Sequence, residues 1–150
     1  AASRLAAVLL RRGRHAEAEQ LFRRVCDGLQ RGLGSTHPNT LASTGNLGGC
    51  LFMMGRCAEA EELQRAVLRG CEDALRPGHP QHIAAVESLA HSLGQRGPDL
   101  EEAVQLVRKA LTLKAAEHGR DHPDTLAVEG KLAGLLARQG CFEEADGAYR

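Results

Sequence analysis

The chain has 150 residues, 43% hydrophobic and 25% charged, with 19 Lys+Arg against 19 Asp+Glu and a formal net charge of zero. That balance excludes a globally basic surface for nucleic acid or anionic lipid, and the hydrophobic fraction excludes a chain that stays disordered. No apolar run approaches the ~20 residues of a membrane span, and the amino end lacks the charged segment and apolar core of a secretory signal.

The predicted elements come in pairs. Leu5, Ala6 and Leu9 recur at helical spacing before Gly13, and Ala18, Leu21, Phe22 and Val25 mark a second helix. Pro38 opens the next helix, where its missing N–H is not needed, and Leu41, Thr44, Leu47, Gly48 and Leu51 carry it to a stop at Gly55. Its partner carries Ala60, Leu63, Val67 and Leu68 and runs to about Leu75. The following pair places Ile83, Val86, Leu89, Ala90 and Leu93 before Gly97, then Ala103, Leu106, Val107, Ala110 and Leu111. Leu126, Leu132, Ala133 and Leu136 form a last first-type helix before Gly140, and Ala145 marks a second helix after it. No segment alternates with a period of two, so no strand is predicted.

These pairs are one unit repeated. His-Pro occurs at His37, His79 and His122, in steps of 42 and 43 residues. A glycine falls 18 residues after each of these histidines and an alanine 19 before. Ala6, Gly48, Ala90 and Ala133 share one position in the unit; Ala18, Ala60, Ala103 and Ala145 share another. Small residues there let two helices cross at ~8–10 Å. A hairpin of this size cannot bury its apolar face alone, whereas stacked hairpins share a core. Residues 1–150 therefore read as a single repeat solenoid, divided 1–33, 34–75, 76–118 and 119–150. The incomplete first and last units are what a fragment of a longer solenoid would show.

The units resemble tetratricopeptide repeats, whose usual length is ~34 residues. The longer unit here, with Gly-Ser-Thr-His-Pro-Asn-Thr-Leu from Gly34, Gly-Arg-Asp-His-Pro-Asp-Thr-Leu from Gly119, Glu-Ala-Glu-Gln-Leu from Glu17 and Glu-Ala-Glu-Glu-Leu from Glu59, resembles the kinesin light chain-like (nephrocystin-like) subclass. The resemblance covers essentially the whole chain. It implies an all-α, right-handed superhelical solenoid of antiparallel helix pairs and a role in protein–protein interaction. It also implies a groove on the first helices, which by register takes in Arg4, Leu10 and Arg11, then Asn46, Gly49, Phe52 and Met53, then Glu87 and His91, then Lys131 and Arg138. Asn46 can donate to and accept from a peptide main chain. Phe52, Met53 and Leu10 are candidates for apolar pockets, and the basic residues for attracting acidic ones. The expected partner is a protein or extended peptide, with a motor or cytoskeletal complex implied by the subclass alone. The alternatives are a regulatory repeat module of a larger enzyme or nucleotide-switch protein, or a structural spacer.

Other chemistry is poorly supported. Five cysteines without C-x-x-C spacing read as reduced thiols in a cytoplasmic setting. His79 with His82, and His118 with His122, bring no third ligand close in sequence, so no metal is expected and the repeated histidines read as local caps. The acid pairs Glu61-Glu62, Glu101-Glu102 and Glu143-Glu144 suit first turns of second helices. No phosphate-loop, dinucleotide or nucleophile-elbow motif occurs, so neither cofactor nor catalysis is expected. Residues 1–31 carry seven Arg against Glu17, Glu19 and Asp27, yet no aromatic stacking pattern accompanies them, so RNA binding ranks below a protein partner.

Overall fold

The computed structural model describes residues 2–140, and those residues contain helices and no strand. The helices are α1 (Ala2–Arg11), α2 (His15–Leu33), α3 (Pro38–Met53), α4 (Cys57–Ala74), α5 (Pro80–Arg96), α6 (Leu100–His118) and α7 (Pro123–Gln139). The chain divides after Arg76 into two compact units. In the first, α1 packs on α2, α2 on α3 and α3 on α4; in the second, α5 packs on α6 and α6 on α7. The second helix expected around Ala145, with Glu143 and Glu144, lies outside the described residues, as does Cys141.

The recurring His-Pro is a helix start with a mechanism. His37, His79 and His122 take extended backbone at the N-cap, with proline next at the first helical position. The imidazole Nδ1 of each accepts from the backbone N–H two residues on, at 3.1 Å from Asn39, 3.1 Å from Gln81 and 3.2 Å from Asp124. Each ring thus serves one of the donors a helix leaves without a partner at its start. His122→Ala is expected to cost about 1 kcal/mol in urea unfolding, while His122→Asn keeps most of it. Equal losses in the two variants would show that the cap contributes nothing. The glycines that follow, Gly13, Gly55, Gly97 and Gly140, have φ of 75°, 80°, 91° and 88°, which side chains with a Cβ rarely adopt.

The first unit's core gathers Ala6, Leu9, Ala18, Phe22, Cys26, Leu47, Cys50, Leu51 and Ala60. Both small-residue positions lie at the helix crossings: Ala6, Ala18, Ala60, Ala103 and Ala133 are fully buried and Ala90 nearly so. At Gly48 an added Cβ would come within 3.3 Å of Gln64 Cγ and 3.5 Å of the Ala60 carbonyl oxygen. Burial pushes the thiols of Cys26, Cys50 and Cys71 up from their ordinary value, so they remain protonated and pack as small apolar groups.

Two residues expected on buried faces are exposed. Leu5 is 53% exposed, although Leu47, Leu89 and Leu132, one, two and three repeats later, are all buried. Leu47 shares a cluster with Phe22 and Cys26 of α2, and no described helix covers the corresponding face of α1. Leu126 is 50% exposed, although its repeat equivalents Leu41 and Ile83 are buried. Leu41 lies against Gly70 of α4, where an added Cβ would sit 2.5 Å from Leu41 Cδ2; no described helix follows α7 to do the same for Leu126.

An ion cluster ties the first two helix pairs together. Arg56, in the α3–α4 turn, places Nη1 2.8 Å from Glu19 of α2 and Nε 2.7 Å from Glu59 of α4. Arg23 adds a second cation 2.8 Å from Glu19. Burial pushes the Glu19 carboxyl up, but hydrogen bonds and charge from Arg23 and Arg56 outweigh it and hold the group below the ordinary 4.5. Glu59 is likewise held low, chiefly by its hydrogen bonds from Arg56. A carboxyl held low in the folded state binds fewer protons there than when unfolded, so its stabilisation is present above pH ~4.5 and is lost as pH falls below it. Urea midpoints of the native chain are expected to drop between pH 6 and pH 3.5, and the drop shrinks in Arg56→Met. An unchanged drop in that variant would remove this cluster as its cause.

Candidate functional site

Within the second unit, the first-type helices α5 and α7 run over α6 and leave a cavity of about 220 Å³. Residues four apart share a helix face, so Glu87, His91 and Gln95 of α5 stand in a row. Lys131, Gly134 and Arg138 of α7 form the facing row, and all six line the cavity. Ala90, Gly94, Val107, Val128 and Leu135 supply an apolar lining, of which Val107 belongs to α6. Ala90 is 1%, Val107 4% and Val128 1% exposed, so that lining is continuous with the packed interior.

The charges on its rim are unequal in their ties. Glu87 accepts from Lys131 Nζ at 3.1 Å and lies 3.2 Å from Lys114 Nζ of α6. The Glu87 and Lys114 side chains are 19% and 17% exposed, whereas Lys131 is 60% exposed. Arg138 is exposed and forms no ion pair with a described residue.

The cavity borders a glycine at a position where the earlier repeats carry a large side chain. Leu10, Phe52, Gly94 and Ala137 occupy the same position in successive units. Leu10 and Phe52 are partly buried and pack against the first unit's core. At Gly94 no side chain does so; a Cβ added there would meet Leu135 Cδ2 at 2.8 Å. Gly94 was not among the expected groove residues, although aligning the repeats at Leu10 and Phe52 points to it.

Of the expected groove residues, Glu87, His91, Lys131 and Arg138 line this one cavity. The others belong to the first unit. Arg4 and Arg11 are exposed on α1, seven residues apart and so on one face. Asn46 is exposed on α3, Met53 is 55% exposed, and Gly49 is half-buried with open space where a Cβ would be. Leu10 and Phe52 are half-buried in packing.

The paired histidines have local duties. His79 Nδ1 is used by the Gln81 N–H, and His82, buried, lies with Nδ1 2.6 Å from the Pro77 carbonyl oxygen, to which it donates. The His118 and His122 rings lie against each other, tilted by 31°, with centroids 4.8 Å apart. Among the described residues no three His, Cys, Asp or Glu side chains converge as a metal ion would require, and no helix is long and apolar enough to cross a membrane.

The helix pairs, their capped starts and their small-residue crossings define an all-α repeat solenoid, and the comparisons agree. The tetratricopeptide repeat family matches residues 1–73 and again residues 85–124. The chain belongs to that family and is of the kinesin light chain-like kind. The kinesin light chain-type, nearly identical TPR-like repeats of Podosopora anserina share 29% identity and a TM-score of 0.90, over 98% of this chain and 69% of that one. A point variant of the same repeats gives the same figures. BtubC (BKLC) from P. vanneervenii, 16% identical, shares the fold with a TM-score of 0.88 over 98% of this chain and 58% of its own. No curated protein matches the sequence.

Proposed function

We propose that this chain is a protein-interaction scaffold that takes an extended peptide, or an extended segment of a partner, along the first helices of its repeats. The α5–α7 cavity would receive an apolar side chain of that segment. One observation carries this reading: where the first two repeats carry Leu10 and Phe52, the third carries Gly94, beside a cavity lined by apolar atoms and rimmed by charge. A pocket of that kind, with a few polar groups at its edge, is the usual form of a recognition site. The proposed role is binding, which is what the match to the tetratricopeptide repeat family supports. We further propose, from its likeness to the kinesin light chain-type repeats, that it acts as a cytoplasmic adaptor in a motor or cytoskeletal assembly.

The test is selection from an unbiased peptide display library on the native chain, with the Gly94→Leu chain as control. Enrichment of sequences sharing a large apolar residue, lost on the control, supports the reading. Equal enrichment on both, or none on either with helicity intact, overturns it.

A further inference from the structure

We infer that Glu87 fixes the polarity with which an acidic segment lies across the α5–α7 cavity, by engaging Lys131 internally and leaving Arg138 as the cation that meets the ligand. This rests on the groove reading above and adds a rule to it. The two cations on the α7 row are seven residues apart, about 10 Å along the helix. That is the length of roughly three extended residues, so a carboxylate near an anchored apolar side chain can lie toward one cation or the other.

The two ends differ in a way the sequence alone does not show. At one end, Glu87 already holds Lys131 at 3.1 Å and is itself held by Lys114 at 3.2 Å. With 19% of its side chain exposed, Glu87 is partly removed from water and lies between two ammonium groups. An incoming carboxylate there must displace an internal one and lie beside it, which like charge opposes. At the other end stands Arg138, exposed and without an ion pair among the described residues, with the uncharged Gln95 on the facing row. Its guanidinium can donate two parallel hydrogen bonds to a planar carboxylate. Between the ends, Gly134 has open space where a Cβ would be, leaving room for a peptide backbone. The acidic side of the ligand therefore faces the C-terminal ends of α5 and α7.

Two blocked seven-residue Gly/Ser peptides test this, each with one Phe and one Glu, the Glu two residues before the Phe in one and two after it in the other. Their affinities are read by NMR titration of the native chain. The chain is expected to prefer one order by threefold or more. Arg138→Met weakens the preferred peptide about fivefold, Lys131→Met changes it less than twofold, and Glu87→Gln strengthens the disfavoured peptide until the preference largely disappears. Equal affinities, a ratio unchanged by Glu87→Gln, or equal losses in Lys131→Met and Arg138→Met would overturn the inference. A second readout needs no ligand: reductive methylation followed by mass spectrometry should modify Lys131 faster in Glu87→Gln than in the native chain. Equal rates overturn the internal tie while leaving the groove reading in place. If neither peptide binds in the titration although Lys131 is modified more slowly in the native chain, the internal tie stands but the groove reading is overturned, and the polarity rule with it.

Discussion

Replacing Phe22 by alanine is expected to destabilise the first unit by about 3 to 5 kcal/mol, the usual range for removing a fully buried aromatic ring. Phe22 is 1% exposed and is among the largest fully buried side chains. It belongs to a cluster with Ala6 and Leu9 of α1, Leu47, Cys50 and Leu51 of α3, and Ala60 of α4. The ring is thus shared by both helix pairs of the unit, and alanine leaves a void that backbones already close at Ala6, Ala18 and Ala60 cannot collapse to fill. Against a total stability of about 5 to 15 kcal/mol for an ordinary domain, that is a large fraction. Urea unfolding followed by helical circular dichroism measures it. Val25→Ala, at a half-buried position of the same helix, should cost about 1 kcal/mol and provides the comparison. A loss below 1 kcal/mol for Phe22→Ala would mean that the two helix pairs are not joined through this ring.

Gly94→Leu is expected to abolish cavity binding while sparing the fold. Leucine is what the first repeat carries at this position, and a helix-interior glycine costs roughly 1 kcal/mol relative to a good helix former. The atom an added Cβ would meet, Leu135 Cδ2 at 2.8 Å, is the end of a half-buried side chain that can rotate away. The new side chain then occupies the space an apolar anchor would use. Burying such an anchor contributes about 1.5 to 3 kcal/mol, so its exclusion should weaken a selected peptide by at least about tenfold. The midpoint of urea unfolding should stay the same or rise. Retained affinity in a folded Gly94→Leu chain would show that the peptide binds elsewhere.

The sequence by itself determined the repeat and most of its mechanics. The spacing of His-Pro, glycine and alanine located every described helix, because each landmark answers a local requirement: a cap, a positive φ, a close crossing. Those requirements act within a few residues and are legible one residue at a time. Tertiary structure decided what depends on the neighbour across a helix interface. Leu5 and Leu126 match the buried pattern of their equivalents but lie exposed, since burial is set by whether a helix packs over them. Gln64 is 4% exposed at the position held by Phe22 and Val107 in the adjacent repeats, against Gly48, which no hydrophobic pattern would predict. That Glu87, His91, Lys131 and Arg138 fall on exposed rows of first-type helices was legible from the repeat register. That Glu87 holds two lysines from two other helices was not, nor was the cavity at Gly94, because a void is the absence of a side chain whose effect depends on everything around it.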